Sequence, residues 1–318
     1  MIWRRLRERG VLGINARNAS YTLRWNDRSR YPMVDDKLIT KQLCEGSGIP
    51  VPKLLAVANH HFQLRGFADR LDAHESFVLK PVRGAMGNGI VVIVGREGAD
   101  FVRSDGRLLS RDEFRYHTAG IISGLYSLAG HADRAMVEER LEVHSDFARI
   151  ATRGVPDVRV IVYRGVPVMA MTRLPTKASG GRANLHQGAV GAGIDLVTGR
   201  TTHAILRNAP VTANPDTGLS VEDVLIPDWD RVLEIAVRAT DHTELGYVGA
   251  DVVVDETRGP VILELNARPG LAVQLANRIG LRLRLDAVDA NAPQPGTPVE
   301  DRVALGLAIA REKDGVAA

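Results

Sequence analysis

The chain has 318 residues, of which 45% are hydrophobic and 25% charged, and it carries a formal net charge of +3. This composition is that of a soluble globular protein with a substantial core. No apolar run approaches the roughly 18 residues of a membrane-spanning helix, and the apolar stretch after the basic start is too short for a signal peptide. Because Cys44 is the only cysteine, an internal disulfide and a cysteine-based metal cluster are excluded, and we expect a cytoplasmic protein.

The first 30 residues hold most of the positive charge, with eight arginines against Glu8 and Asp27. A basic arm of this kind can bind a membrane surface or an acidic protein partner. The alternative, which we favour, is a solvated arm that packs on the domain through Trp25 and Tyr31. No nucleic-acid-binding signature accompanies the arginines, so no nucleic-acid partner is expected. The arginines that would recruit a membrane or protein are Arg4, Arg5, Arg7 and Arg9.

The next part of the chain alternates between helical and extended patterns. A helix is predicted over Met33–Gly46, and the segment Gly48–Pro52 ends it. Strands are predicted over residues 74–82 and Ile90–Gly95, with the glycine-rich loop Arg83–Gly89 between them. Further elements are an extended stretch over Lys53–Val57, a hairpin over 96–112, a helix over Asp112–Ala129 and a strand over Met136–Glu142.

The second half begins with a predicted hairpin, Asp157–Tyr163 and Val166–Arg173, around Arg164-Gly165. Residues 178–195 form a second glycine-rich region, too polar and flexible for a core element. Later elements are a helix over 228–245, a last hairpin with strands Gly249–Val254 and Val261–Asn266, a helix over Gly270–Leu281, a linker over Asn291–Pro298 and a terminal helix. This order indicates an α+β protein and not the regular βα alternation of a doubly wound sheet.

The last hairpin carries a candidate cation site. If Val254 pairs with Val261, then Asp251 lies opposite Glu264, and Asn266 joins them on the same face. Two carboxylates and an amide oxygen are hard ligands that suit Mg²⁺. The alternative is an ordinary hairpin with a polar outer face. On either interpretation, the opposite face is predicted to carry Val252, Val254, Val261, Leu263 and Leu265.

The loop Arg83–Gly89 lacks the lysine and hydroxyl residue of a P-loop, and no helix begins within it as in a dinucleotide fingerprint. A glycine flap between strands can still bring backbone N–H groups over a phosphate. Lys80, just before the loop, would supply a positive charge. The alternative is a flexible hairpin tip with an exposed lysine.

Charged residues also interrupt the predicted strands. Glu138 and Glu139 lie in an apolar strand, so at least one should point inward or into a cleft, where a strand edge could bind adenine. The alternative is an edge strand whose acids form surface pairs with Arg140 or Arg149. The cations suited to neutralising a transferred phosphoryl group are Arg159, Arg173, Lys177, Arg182 and Arg268. Any one of them, taken alone, is more often a solvated charge than a catalytic one.

Taken in chain order, these motifs resemble the ATP-grasp superfamily, in particular the branch that includes RimK, a glutamate ligase that modifies a ribosomal protein. The family's N-terminal domain is reduced here to a short basic segment, so the sequence is most similar to the alpha-L-glutamate ligase-like group. The motifs are Asp36-Lys37, FVLKP with the glycine-rich loop, VEERL, Asp157-Val-Arg159, GGRANLHQGA, Asp251 and ELNARPG.

The resemblance implies an α+β ATP-grasp fold in which two subdomains hold ATP between antiparallel sheets, without the full N-terminal domain. The implied organisation is a basic arm over 1–35, a catalytic unit over 36–290, and a linker with a C-terminal helix over 291–318. Within the catalytic unit, a small lid subdomain covers about 74–137 and a core subdomain about 138–290.

The resemblance also implies site residues. For ATP they are Lys37, Lys80, Gly84, Gly87, Gly89, Glu138, Glu139, Arg140, Leu141, Asp157, Arg182, Ala183 and Asn184. For Mg²⁺, as two ions with Mn²⁺ as an alternative, they are Asp251, Glu264 and Asn266. Arg173, Arg182 and Arg268 would be catalytic, with Arg173 and Arg268 near the γ-phosphate and the acyl phosphate.

The implied activity is ADP-forming ligation of a carboxylate and an amine through an acyl phosphate, with glutamate or another amino acid added to a peptide or small molecule. Homo-oligomers are common in the superfamily. Two alternatives are a nucleotide-binding regulator or scaffold without turnover, and an ATP-grasp enzyme that phosphorylates its substrate.

Overall fold

The computed structural model describes residues 2–84, 87–127, 130–151 and 154–314. The chain forms two compact units. The smaller unit consists of Asp36–Leu38 and Pro52–Glu142, and the larger unit consists of Met1–Asp35, Ile39–Val51 and Val143–Ala318. The predicted subdomain boundaries at 74, 137 and 290 stay a prediction.

The smaller unit is built on a six-stranded antiparallel sheet in the order β1-β6-β2-β3-β4-β5. Aromatic rings fill its core: Phe77 and Phe101 meet edge to face with ring centroids 5.3 Å apart, and Phe114 from the helix Arg111–Ile122 packs against both. The strands are β1 Leu54–Ala58, β2 Phe77–Pro81, β3 Val91–Glu97, β4 Asp100–Arg103, β5 Leu108–Leu109 and β6 Ala135–Glu139. Short 3₁₀ turns cover His61–Leu64 and Asp69–Leu71.

The larger unit is built on a seven-stranded antiparallel sheet in the order β11-β10-β9-β8-β7-β12-β13. Its strands are β7 Asp157–Tyr163, β8 Val166–Leu174, β9 Val190–Ile194, β10 Thr201–Leu206, β11 Ala209–Val211, β12 Tyr247–Asp255 and β13 Gly259–Asn266. Its helices are Ile2–Glu8, Ile14–Arg17, Leu23–Trp25, Pro32–Asp35, Lys37–Gly46 (which begins in the smaller unit), Ser145–Ile150, Trp229–Asp241, Ala272–Asn277, Leu281–Ala290 and Val299–Asp314, with a π-helical turn at Asn18–Thr22 and 3₁₀ turns at Arg28–Arg30 and Leu185–Gln187.

Both faces of the seven-stranded sheet are covered, so every residue of β12 is buried. The helix Trp229–Asp241 packs on one face against alternating residues such as Val252 and Val254. The helices Ala272–Asn277 and Leu281–Ala290 cover the other face, together with Tyr21 from the N-terminal segment. A polar side chain in the middle of this sheet must therefore find its partners inside the protein.

The pairing of β12 with β13 confirms that Asp251 lies opposite Glu264, but the premise of that prediction is wrong. Val254 pairs with Pro260 and not with Val261, because a β-bulge at Leu263 shifts the register between the turn and Glu264. For the same reason Ile262, and neither Val261 nor Leu263, packs with Val252 and Val254.

Several local predictions are confirmed with altered bounds. The helix expected over 33–46 is the pair Pro32–Asp35 and Lys37–Gly46, and the helix expected over 112–129 ends at Ile122. The turn at Arg164-Gly165 is confirmed, and both residues have positive φ angles of 50° and 77°. The helix expected over 270–281 is instead two helices, because the chain turns between Asn277 and Leu281.

The second glycine-rich region contains a core strand, so its prediction as a purely irregular segment is wrong. The strand β9 is buried along its whole length, which contradicts the expectation that the region is too polar and flexible for a core element. At Gly193 a Cβ atom would lie 2.6 Å from the backbone oxygen of Ala276. Glycine is needed here because the helix Ala272–Asn277 approaches the strand backbone too closely for any side chain.

The basic N-terminal segment packs on the larger unit, as favoured above. Trp25 and Tyr31 are partly buried against its two cores. The arginines at positions 4, 5, 7 and 9 are exposed, and their recruitment of a membrane or protein stays a prediction. Among the helices that the structure describes, none combines the length and apolar character needed to span a bilayer.

Candidate active site

A row of charged side chains crosses four neighbouring strands of the seven-stranded sheet. Arg173 on β8 pairs with Asp157 on β7, and Arg159 on β7 pairs with Asp251 on β12. Asp251 in turn pairs with Glu264 on β13. Directly paired residues share a face, and so do residues two apart on one strand. The five side chains, which we call the charged row, therefore project from one face, with two cations and three carboxyl groups.

Asp251 is the centre of the charged row and is fully buried. Arg159 donates two hydrogen bonds to it, from Nε to Oδ1 at 2.7 Å and from Nη2 to Oδ2 at 2.6 Å. Arg173 donates a third, from Nη2 to Oδ2 at 2.6 Å. Burial by itself raises the pKa of Asp251, but the two guanidinium groups outweigh it and hold the pKa at about 2. The arginines thus favour the ionised form of Asp251.

Asp157 and Arg173 form a second buried pair, with Arg173 Nε and Nη2 donating to the two carboxylate oxygens at 2.6 and 2.5 Å. Burial lowers the pKa of Arg173, yet Asp157 and Asp251 raise it above its ordinary value. Burial raises the pKa of Asp157 to about 6, because Arg173 is shared with Asp251 and the attraction does not fully offset desolvation. The charged row therefore contains one carboxyl group that titrates near neutrality.

This raised pKa predicts a pH dependence of stability. The stabilising contribution of Asp157 is fully present below its ordinary pKa of 3.8 and is lost as the pH rises through about 6. We expect the free energy of unfolding of the wild type, relative to Asp157→Asn, to fall between pH 4 and pH 7. Urea unfolding of both proteins across that range measures it, and parallel pH profiles would contradict the assignment. Asp251 does not interfere, since its contribution is lost only as the pH falls through about 2.

The predicted metal ligands share one face, and their oxygen donors suit a hard cation. Glu264 and Asn266 are half-buried. Asp251 is less open, because Oδ2 already accepts two arginine hydrogen bonds and Oδ1 accepts one. Within the described residues, no cluster of three or more His, Cys, Asp and Glu side chains is arranged to hold a metal ion. The donor set thus fits Mg²⁺ at Glu264 and Asn266, and the assignment of all three ligands stays a prediction.

The loop after β13 carries Arg268. Its backbone N–H donates to Oδ1 of Asn266 at 2.8 Å, which fixes the amide orientation. The guanidinium lies 5.3 Å from the ring centroid of Tyr31 and 3.9 Å from Oδ2 of Asp35, and the side chain is 54% exposed. Arg268 is therefore a loosely held cation next to Asn266, open to an anionic ligand.

The tripeptide 182–184 lies in the loop between β8 and β9. Arg182 is exposed and donates to Oε1 of Gln187 at 3.2 Å. Asn184 accepts the N–H of His186 at 2.9 Å and so begins a short 3₁₀ turn, while Ala183 is half-buried. No described contact joins these residues to the charged row.

In the smaller unit, Lys80 on β2 and Glu138 on β6 form an ion pair with side chains only 6% and 4% exposed. The predicted inward orientation of at least one acid is thereby confirmed. The alternatives of an exposed lysine and of a surface pair for Glu138 are wrong. The neighbouring strands β2 and β6 bring the two charged side chains together in the buried interior of the unit. Glu139 accepts the N–H of Lys53 at 2.7 Å, Arg140 is half-buried and Leu141 is buried.

The start of the glycine-rich loop is held by Lys37, whose Nζ donates to the backbone oxygens of Gly84 at 2.8 Å and Val82 at 3.5 Å. A Cβ atom at Gly84 would lie 2.2 Å from the ring of Pro81, so only glycine fits. Gly87 and Gly89 have φ angles of 73° and 76°, as expected for a loop that folds back on itself. Residues 85 and 86 of the predicted flap lie outside the described residues.

Comparison with known protein families shows which family the chain belongs to. The family described as sugar-transfer associated ATP-grasp matches residues 16–290. The chain belongs to this ATP-grasp family. The predicted ATP-grasp fold, with its mixed α and β elements and antiparallel sheets, is confirmed. A comparison with curated protein sequences found no match.

Three solved structures with a similar fold are distant in sequence. The ATP-grasp ligase PsnB in complex with a minimal precursor is 18% identical, covering 88% of this chain and 64% of PsnB, with a TM-score of 0.43. D-alanine–D-alanine ligase from Bacillus anthracis with ATP is 15% identical, covering 89% and 68%, with a TM-score of 0.42. A RimK domain ATP-grasp protein from Sphaerobacter thermophilus is 14% identical, covering 83% and 70%, with a TM-score of 0.46. The chain thus spans less than two thirds of PsnB.

Within this ATP-grasp chain, sequence reasoning missed several contacts at the start of the glycine-rich loop. Asp36 accepts hydrogen bonds from Arg83 and Arg134, and Asp133 accepts the backbone N–H of Arg83 at 2.9 Å. These two acids fix the root of the glycine-rich loop. The only sequence signal for these contacts is the Asp-Arg pair at 133–134, which looks like ordinary surface charge. The contacts of Asp36 and Asp133 with the loop become apparent only when β2 and β6 are known to be neighbours.

Proposed function

We propose that this protein is an ATP-dependent, ADP-forming ligase that joins a carboxylate to an amine. The observation that carries the proposal is the charged row, in which paired strands hold arginines and carboxylates on one face of the larger unit's sheet. Such a fixed set of charges, with its excess of carboxyl groups, could hold a cation that neutralises the charge developing during phosphoryl transfer. Membership of the ATP-grasp family supports ATP as the phosphoryl donor.

In the smaller unit, we assign phosphate contacts to Lys37, Lys80 and the glycine-rich loop. Lys37 already donates to the backbone oxygen of Gly84, so a movement of the loop would also shift the position of the lysine charge. The segment from Glu138 to Leu141 would receive the adenine through backbone groups at the end of β6. The ammonium of Lys80 is paired with Glu138. Lys80 would therefore bind a phosphate oxygen only by sharing its ammonium between that oxygen and the acid.

In the larger unit, we assign the transferred phosphoryl group to the region of Arg173, Arg268 and Asn266. Asp157 would lie near the ribose, and the tripeptide 182–184 would contact the nucleotide. Glu264 and Asn266 would hold Mg²⁺, with Asp251 beside them, and the bound ion would neutralise phosphate oxygens. Two ions, or Mn²⁺ in place of Mg²⁺, remain part of the proposal.

The proposed reaction has two steps. A carboxylate oxygen of the first substrate attacks the γ-phosphorus, the bond to the β,γ-bridging oxygen breaks, and ADP leaves with an acyl phosphate formed. The amine of the second substrate then attacks the acyl carbon, an amide forms, and inorganic phosphate leaves while the amine loses a proton. The chain's contribution is mainly positioning and charge stabilisation, and no described residue stands out as a base for that proton.

The substrates are proposed by chemical class. The family is described as associated with sugar transfer, which makes a saccharide with an amino or carboxyl group a candidate substrate. Amino acids, including glutamate, and peptides are the other candidates.

Mass spectrometry of reactions with Mg-ATP tests the proposal. We expect an amide product and stoichiometric ADP and phosphate when amino acids, peptides and amino or acidic sugars are supplied together. A stable phosphorylated product without an amide would indicate a phosphorylating enzyme. Tight Mg-ATP binding without any product across the screen would favour a nucleotide-binding regulator.

A further inference from the structure

Arg17 is a buried cation without a carboxylate partner among the described residues. The residue is 6% exposed, and Nη1 donates to the backbone oxygen of Pro269 at 2.8 Å. Its Nε is buried and has no hydrogen-bond partner. An arginine is rarely buried unless it is paired, because removing the charge from water is unfavourable. One neutral hydrogen bond does not offset that cost.

A second donor without a partner lies within electrostatic range of Arg17. The hydroxyl of Tyr247, at the start of β12, is buried and has no hydrogen-bond partner. It lies within electrostatic range of the guanidinium groups of Arg17 and Arg159. Buried hydroxyl groups in native structures nearly always form a hydrogen bond. Two buried donors without partners, within electrostatic range of each other, point to a missing acceptor.

A second cation, Arg268, lies within electrostatic range of Arg17. The other electrostatic neighbours of Arg17 are the phenol groups of Tyr31 and Tyr247. Burial lowers the pKa of Arg17, and Arg268 lowers it further. The loop that holds Arg17 through Pro269 is the one that follows Asn266, so Arg17 lies near one of the proposed metal ligands along this loop.

The fold holds Arg17 rigidly at this place. The helical run from Ile14 to Trp25 contains a π-helical turn that begins directly after Arg17. Such turns are rare and occur frequently at functional sites. Asn26 then anchors the segment, because its side chain donates to the backbone oxygens of Tyr247 at 2.8 Å and Ala267 at 3.0 Å and accepts the N–H of Tyr247 at 2.9 Å.

We propose that Arg17 and the hydroxyl of Tyr247 bind an oxyanion of a substrate, either a carboxylate or a phosphate group, beside the loop Ala267–Pro269. The planar guanidinium matches both groups because it offers parallel N–H donors. The site is therefore formed jointly by the N-terminal segment and by β12. Its identification as a substrate site rests on the proposed ligase function, whereas anion binding itself does not.

The test measures anion binding in the absence of ATP, with inorganic phosphate and acetate as probes and chloride at matched ionic strength as the reference. Wild type, Arg17→Met and the control Arg24→Met, which removes an exposed arginine of the same helical run, are compared by thermal unfolding and by NMR of arginine Nε–H groups. The Arg17 signal is assigned by its loss in Arg17→Lys.

We expect phosphate or acetate to stabilise the wild type and Arg24→Met and to shift the Arg17 Nε signal. In Arg17→Met the affinity should fall about tenfold or more, the effect of losing a charged hydrogen bond. In chloride, this variant should be as stable as the wild type or more stable, since an unpaired buried charge is gone. Response to acetate alone would identify a substrate carboxylate, and response to phosphate alone a phosphate group.

Equal anion dependence in Arg17→Met and Arg24→Met would overturn the proposal. If Arg17→Met fails to fold, an Nε signal of wild-type Arg17 that does not move with either anion would overturn it equally. The two proposals can fail separately. Amide formation without an anion effect at Arg17 rejects only this site, and an anion effect without an amide product rejects only the ligase function.

Discussion

Replacement of Asp251 by asparagine is expected to lower the free energy of unfolding by about 3–5 kcal/mol, the usual cost of removing one partner from a buried ion pair. The carboxylate is fully buried and accepts three hydrogen bonds from Arg159 and Arg173. Asparagine keeps the shape but removes the charge and one acceptor, and it leaves both guanidinium groups undercompensated. Denaturant unfolding at pH 7 measures the loss.

The matched control is Asp223→Asn, which removes an acid paired with Arg200 on the surface, where the Asp223 side chain is 82% exposed. Its stability should be unchanged, since exposed pairs contribute little. The difference between wild type and Asp251→Asn should also shrink as the pH falls towards 2, where Asp251 becomes protonated. An Asp251→Asn variant as stable as the control would mean that Asp251 serves only a ligand and does not anchor the arginines.

Replacement of Glu264 by glutamine is expected to reduce the ATP-dependent reaction by on the order of 10²–10³-fold, the loss seen when one preorganised charge-stabilising group is removed. Glu264 is half-buried at the open end of the charged row, and its charge is the one best placed for a cation. Phosphate release at several Mg²⁺ concentrations measures the effect. The Mg²⁺ concentration needed for half-maximal activity should rise, because glutamine is a weaker ligand for a hard cation.

The free energy of unfolding distinguishes Glu264→Gln from Asp251→Asn. Glu264→Gln should fold as stably as the wild type, because the charged row has an excess of carboxyl groups and the arginines keep Asp157 and Asp251. The control Glu222→Gln, at an exposed acid of the same unit, should retain activity and Mg²⁺ dependence. Full activity of Glu264→Gln at low Mg²⁺ would remove Glu264 from the proposed metal site.

Local patterns predicted much of the region around the last hairpin. Two β-branched runs around a polar turn predicted β12 and β13, and alternation placed Glu264 and Asn266 on one face. The pairing of Asp251 with Glu264 was predicted from a wrong turn register, because the bulge at Leu263 has no clear sequence signal. A bulge depends on how the strand bends against its neighbours, and those neighbours are distant in sequence.

The partners of the site residues were less predictable. Arg159 and Arg173 were among five candidate cations. No local sequence pattern indicated that both donate hydrogen bonds to Asp251, which lies 92 positions from Arg159 and 78 positions from Arg173. The buried pair of Lys80 and Glu138 was equally hidden. Gly193 suggested flexibility, yet it permits close packing of a helix on β9.

By itself, the sequence determined the ATP-grasp family, the main strands and the residue types available for phosphate and metal binding, because these follow from local periodicity and ordered motifs. Only the tertiary structure decided which charges neutralise each other and which stay unsatisfied. Arg17 illustrates the difference: in the sequence it is one of eight arginines in a basic segment, and in the fold it is a buried cation without an acid among the described residues. The physical reason is that burial and pairing depend on contacts between distant segments, which also set the cost of each charge.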